Sequence, residues 1–203
     1  MIHRVKQVAM GIELMIDGLV EKGFAVLPRF LAQHEVNALA KVMQERKNLF
    51  HQAGVGRKEG RAVREQIRGD EICWIEPTDP LASTALAQLA EVKHALNAYL
   101  YLGLDELECH FATYPVGSFY KRHLDQHRGE DTRVVTIVLY LNPEWQENDG
   151  GELRLYLEKE QSMDIAPLGG SLVVFLSNQF EHEVLVSKRE RLSLTGWFRR
   201  RPI

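Results

Sequence analysis

Residues Arg133–Asn142 read RVVTIVLYLN, a short apolar run that stops at the turn pair Asn142-Pro143. A run of that length, bounded by a turn signal, reads as a buried strand. Six further short segments lie on either side of it: Cys109–Tyr114, Ser118–His123, Glu152–Leu157, Ser171–Leu176, His182–Val186 and Leu192–Phe198. Turn residues separate them at Pro115-Val116-Gly117, Asn148-Asp149-Gly150-Gly151 and Pro167-Leu168-Gly169-Gly170. So many short strands in one stretch predict a sandwich or a barrel.

Upstream the period lengthens. Gly11–Lys22 puts Ile12, Met15, Ile16 and Leu19 on one helical face and stops at Gly23; Phe24–Leu27 then reads as a short strand. Residues 33–49 resume a helical period with Val36, Leu39, Val42 and Met43. Asp79-Pro80 reads as the N-cap and first position of a third helix. Its stripe is Leu86, Leu89, Val92, Leu96 and Tyr99, and Gly103 closes it. Between the second and third helices, Phe50–Asp70 shows no apolar period and reads as a long loop. Helices followed by strands define an α+β chain. The reading is one domain over residues 1–203, with a helical part at about 1–105 and a strand-built core at about 106–200.

Composition narrows the function. The chain has 203 residues, 45% hydrophobic and 26% charged, which excludes a disordered or fibrous protein. Lys plus Arg total 25 against 28 acidic residues, a net charge of -3 that argues against a nucleic-acid partner. The two cysteines form no CxxC pair, so neither a disulfide framework nor a zinc ribbon is expected. No apolar run approaches the ~18 residues of a membrane span. The N-terminus has no continuous apolar signal region either, so the expected setting is the cytoplasm, with no membrane partner.

The chemistry lies in the strand half. His123-Leu124-Asp125 places an imidazole and a carboxylate two residues apart, hence on one face of a strand. His182 opens a later strand. Two histidines and one carboxylate on one side of a metal leave open positions for substrate and O2, the arrangement of non-haem Fe(II) oxygenases. Zinc sites more often use three tight ligands and one open position. The His-x-Asp pair alone is a weak signal in a chain with eight histidines, and His110 and His127 compete for the assignment. Arg191 follows His182 by one strand-turn and can return to the same cavity, where a buried guanidinium requires an anion. Standing alone, it would read as a surface residue paired with Glu190 or Glu183. Tyr140 sits in an otherwise apolar strand, and its hydroxyl needs a partner there.

Six stretches together carry a family resemblance: IRGDEICWIEP (Ile67–Pro77), TYPVGSFYKRHLD (Thr113–Asp125), RVVTIVLYLN, GGELR (Gly150–Arg154), HEV (His182–Val184) and RLSLTGW (Arg191–Trp197). The chain resembles the Fe(II)- and 2-oxoglutarate-dependent dioxygenases. More narrowly, it is similar to the prolyl 4-hydroxylase family, which includes the animal oxygen-sensing hydroxylases of hypoxia-inducible factor and their bacterial relatives. The resemblance implies a double-stranded β-helix, or jelly roll, braced by N-terminal helices. It implies His123, Asp125 and His182 as iron ligands. Arg191 and Tyr140 would bind the far carboxylate of 2-oxoglutarate, and Tyr114 and Thr195 would line its pocket. Tyr120, Arg133 and Trp197 would stand at the mouth of the substrate cleft.

The implied cofactors are Fe(II), 2-oxoglutarate as cosubstrate and O2, with ascorbate as reductant. The implied partner is a protein carrying a target proline, and for the bacterial side of the family this is elongation factor Tu. The loop Phe50–Asp70, with Arg57, Arg61 and Arg64, would fold over the bound peptide. Two alternatives stand beside this reading. One keeps the chemistry but acts on a free amino acid or other small molecule, which the basic loop disfavours. The other is a jelly-roll binding module without turnover, which has no use for an arginine clamp.

Overall fold

The computed structural model describes residues 2–55, 62–63, 66–126 and 132–202. Helix α1 (Ile2–Lys22) leads into strand β1 (Phe24–Leu27) and helix α2 (Gln33–Glu45). Four short strands follow: β2 (His51–Gln52), β3 (Gly54–Val55), β4 (Ala62–Val63) and β5 (Glu71–Trp74). Helix α3 (Ser83–Leu100) precedes β6 (Leu104–Tyr114), β7 (Tyr120–His123) and β8 (Arg133–Tyr140). Strands β9 (Leu153–Tyr156), β10 (Ser162–Ile165), β11 (Leu172–Leu176), β12 (His182–Val184) and β13 (Arg191–Arg200) complete the order.

Among the described residues these strands form a seven-stranded sheet, β1-β11-β8-β13-β6-β5-β2, a four-stranded sheet, β10-β9-β12-β7, and a two-stranded pair, β3-β4. The pairs are antiparallel, and the two larger sheets make a jelly roll.

The seven-stranded sheet is covered on both faces, which is why β8 reads as a continuous apolar run and not as an alternation. Its Val135, Ile137 and Leu139 join the core shared with the helices, beside Met15, Leu39, Leu89 and Leu96. The intervening Val138 and Tyr140 face the other way, into a second core with Leu153, Leu155, Val173 and Phe175 between the sheets. Strand β13 divides in the same manner: Leu192, Leu194 and Phe198 enter the helix-side core. The period of two sends Arg191, Ser193, Thr195 and Trp197 to the opposite face. Each large apolar side chain so buried contributes roughly 1.5–3 kcal/mol of transfer free energy. The helices thus brace one face of the sheet and leave the other for chemistry.

Several local expectations are corrected. The segment Phe50–Asp70 is not plain loop: β2 pairs with β5 at the edge of the large sheet, and β3 pairs with β4. These strands are too short to show a period, and β5 is held by β6, far along the chain. Helix α3 starts at Ser83, with Ala82 at its N-cap. Asp79 is engaged elsewhere: its carboxylate pairs with Arg46 and accepts the Leu81 N–H. The helix buries Ala85, Leu89, Val92, Ala95 and Leu96, while Tyr99 stays exposed. Tyr101 ends it in the left-handed region at φ 54°, two residues before Gly103. Strand β10 is largely exposed and has no apolar run to announce it.

Candidate active site

A cavity of about 490 Å3 opens on the face of the large sheet turned away from the helices. Strands β6, β8 and β13 supply its floor, β7 and β12 its near wall, and β5 its rim. His123 ends β7, His182 begins β12, and the register pairs the two directly across the ladder. Asp125 lies two residues past the end of β7. The ligand atoms of His123, Asp125 and His182 all fall within 4.8 Å of one another. His110, the competing histidine, lies in the cavity wall outside this cluster. His127 falls outside the described residues.

Both imidazoles are oriented by the backbone. His123 Nδ1 lies 2.8 Å from the Lys121 carbonyl, and His182 Nδ1 lies 3.2 Å from that of Phe180. A carbonyl can only accept, so each Nδ1 carries the proton and each Nε2 keeps its lone pair for a ligand. The two Nε2 atoms stand 3.6 Å from the Asp125 carboxylate, one on each oxygen. Tyr120 stacks on His123 with ring centroids 3.7 Å apart, and Phe175 meets His182 edge-on at 4.9 Å. Burial lowers the His182 pKa to about 4 and so keeps it neutral. Against its burial, the Asp125 carboxyl lies well below the usual carboxylate range. Thr136 Oγ1 donates to Asp125 Oδ2 at 2.8 Å. Two imidazole nitrogens and one carboxylate suit Fe(II), with one side of the ion left free.

Farther into the cavity lies Arg191, only 1% exposed. Its Nε donates to the Gly151 carbonyl at 2.9 Å. The guanidinium carbon sits 4.9 Å from the Tyr114 ring centroid and 5.1 Å from that of Tyr140. No carboxylate among the described residues forms an ion pair with it. Glu183, a candidate partner in the sequence, is bound instead by Tyr156 and Arg154. The Tyr140 hydroxyl is buried and has no hydrogen-bond partner among the described residues. Burial raises its pKa against the pull of Arg191, so it remains a donor. Burial likewise raises Tyr114. An unpaired buried guanidinium and an unpaired buried hydroxyl, side by side, fit the far carboxylate of 2-oxoglutarate.

The other residues singled out in the sequence fall as follows. Thr195 lines the cavity, with its hydroxyl 3.2 Å from that of Ser193. Arg133 lies over the Trp197 ring at 3.6 Å and donates to Glu108 at 2.8 Å. Tyr120 lies beneath the Arg68 guanidinium, 4.2 Å away, and Arg68 itself grips the fully buried Asp70 through two hydrogen bonds. Arg57, Arg61 and Arg64 fall outside the described residues. Sequence reasoning missed the cavity roles of Trp74 and His110. His110 is buried, meets Trp74 at 4.9 Å and Trp197 at 5.7 Å, and is held neutral by burial with a pKa of about 3. The signal was present in the alternation along β6, where His110 shares a face with Ala112 and Tyr114.

A family model described as the 2OG-Fe(II) oxygenase superfamily matches residues 109–199. Fold and site therefore define a class: non-haem Fe(II) oxygenases that use 2-oxoglutarate and O2. Among curated proteins, human Egl nine homolog 1 is 34% identical over 145 residues, covering 66% of this chain and 33% of that protein. The hypoxia-inducible factor prolyl hydroxylase of Caenorhabditis elegans is 30% identical over 213 residues, covering 98% of this chain and 29% of that protein. The chain thus spans about a third of the length of the curated relatives it matches. Among solved structures, a Pseudomonas putida prolyl-4-hydroxylase superposes with a TM-score of 0.86 at 44% identity, covering 94% of this chain and 100% of that one. A Trichoplax adhaerens prolyl hydroxylase, in complex with a hypoxia inducible factor oxygen degradation domain peptide fragment, gives 0.85 at 25% identity, covering 97% and 92%. The chain belongs to the prolyl hydroxylase family of 2OG-Fe(II) oxygenases.

Proposed function

We propose that this enzyme hydroxylates a prolyl residue in a protein substrate, with 2-oxoglutarate as cosubstrate and succinate and CO2 as products. His123, Asp125 and His182 hold Fe(II) through Nε2, a carboxylate oxygen and Nε2. Arg191 and Tyr140 bind the far carboxylate of 2-oxoglutarate, the first by charge and the second by donating a hydrogen bond. Tyr114 and Thr195 shape the pocket between these two anchors. With Fe(II), 2-oxoglutarate and O2 bound, the site supplies oxidative decarboxylation coupled to hydroxylation of an unactivated C–H bond. The protein's part is to orient the cosubstrate from both ends and to exclude water with the apolar walls Val138, Leu153 and Val184.

The observation that carries this reading is Arg191: a charge only 1% exposed, with no carboxylate partner among the described residues, in one cavity with the His-Asp-His cluster. A binding module without turnover would gain nothing from such an unpaired charge, which is costly to bury. Arg133, Tyr120 and Trp197 at the mouth receive the substrate segment, and Arg57, Arg61 and Arg64 meet its carbonyls and acidic side chains. Residues 1–203 act as one catalytic domain. The protein substrate in this reading is elongation factor Tu, as the sequence resemblance implies, with the reaction in the cytoplasm and its extent following O2 supply.

Incubation of the purified chain with Fe(II), 2-oxoglutarate, ascorbate and elongation factor Tu tests this reading by peptide mass spectrometry. One prolyl peptide should gain the mass of one oxygen atom, and succinate should form in equal amount. Succinate formation without a modified prolyl peptide, in this protein or in a whole-cell extract, would move the substrate to the small-molecule class.

A further inference from the structure

The Asp125 carboxylate is held from behind by a pair of buried hydroxyls. Thr136 Oγ1 donates to Asp125 Oδ2 at 2.8 Å, and Ser177 Oγ lies 2.9 Å from Thr136 Oγ1. Thr136 and Ser177 are fully buried. A hydroxyl has one proton to donate. Because Thr136 directs its proton to the carboxylate, the second contact runs the other way, with Ser177 donating to Thr136. The chain of donors therefore has one direction and ends on an ionised carboxylate.

The backbone reinforces it. The Ser177 N–H donates to the Val134 carbonyl at 3.0 Å, and the Gln126 N–H donates to the Ser177 carbonyl at 3.3 Å. The residue after Asp125 is thus tied to the same serine that orients Thr136. Thr136 is also the one hydroxyl-bearing aliphatic residue in β8, where valine would fill the same volume.

We propose that Thr136, oriented by Ser177, is a positioning residue for the metal: it holds Asp125 Oδ2 and fixes the orientation in which the carboxylate meets the ion. This rests on the Fe(II) reading of the His123-Asp125-His182 cluster. A carboxylate free to turn would have to be ordered when the ion binds, and would hold it less tightly. Partners of this kind, behind a ligand, typically change metal affinity by about 10–100-fold when removed.

Mn(II) binding to the full chain, followed by the spin-resonance signal of free Mn(II), tests the proposal without turnover. Thr136→Val should raise the Mn(II) Kd by about tenfold or more, and Thr136→Ser, which keeps the hydroxyl, should stay within about threefold of wild type. Ser177→Ala, which removes only the donor behind Thr136, should raise it by about threefold or more; it carries the test if the valine variant does not fold. His182→Ala is the reference and should abolish binding. Wild-type affinity in Thr136→Val and Ser177→Ala, with binding lost in His182→Ala, would overturn the positioning role alone. Wild-type affinity in His182→Ala as well would overturn the metal site and this inference with it.

Discussion

Two cavities of nearly equal volume lie on opposite sides of the large sheet, about 490 Å3 on the strand side and about 480 Å3 among the helices. The helical one is lined by Ile12, Leu27, Phe30, Leu31 and Val92, with Glu35 at its edge. Glu35 is satisfied by the protein: its carboxylate accepts the Ala32 N–H at 2.8 Å and the Gln88 side chain at 3.2 Å. The strand-side cavity is the reverse. Among the described residues, it is lined by His110, whose Nδ1 has no hydrogen-bond partner, and by an arginine with no carboxylate, and the partnerless Tyr140 hydroxyl belongs to the ring packed against that arginine. Buried polar groups are normally paired, so the ones left open mark where a ligand completes the structure. Size does not separate the two cavities; unmet hydrogen-bonding and charge do.

Substitutions at four positions probe that contrast, from the largest effect on turnover to the smallest. Asp125→Ala should abolish succinate formation from 2-oxoglutarate, since the ion loses its only charged ligand. Retained turnover would assign the metal to other residues. Arg191→Ala should raise the KM for 2-oxoglutarate by roughly a hundredfold or more, because losing one partner of a buried charged pair costs about 3–5 kcal/mol. Arg191→Lys should recover part of this, as an ammonium keeps the charge but not the two-pronged geometry. Tyr140→Phe removes one hydrogen bond to a charged group, worth about 1.5–3 kcal/mol, and should raise the same KM by roughly ten- to a hundredfold. Leu31→Ala, in the helical cavity, should leave KM within about twofold while lowering stability to urea by about 2–5 kcal/mol. A KM change in Leu31→Ala as large as that in Tyr140→Phe would erase the distinction between the cavities.

The parts of this arrangement that were readable in the sequence are those in which spacing alone determines direction. His123 and Asp125 were picked out together by their spacing, although Asp125 reaches His123 from the bend that follows β7 and not from the strand itself. Tyr140 stood out as a hydroxyl inside an apolar run, and Arg191 as a charge that opens one. His123, Asp125 and Arg191 line the cavity, and Tyr140 packs against Arg191 behind it. What escaped reading depends on contacts distant in sequence. Strand β5 exists because β6 pairs with it, and nothing within Glu71–Trp74 requires it. Asp79 resembled a helix cap, but Arg46, from the preceding helix region, claims its carboxylate. Thr136 looked like an ordinary β-branched strand residue; its contacts are visible only when Asp125 and Ser177 arrive from the segments that follow β7 and β11.

Binding of 2-oxoglutarate itself, measured by anaerobic calorimetry on the Mn(II)-loaded full chain, tests most directly whether one molecule is anchored from both ends of the cavity. One equivalent should bind. Removing the metal and replacing Arg191 with alanine should each weaken binding by about tenfold or more. Undiminished binding to metal-loaded Arg191→Ala protein, or to metal-free wild type, would show that the arginine and the His-Asp-His cluster do not serve the same ligand.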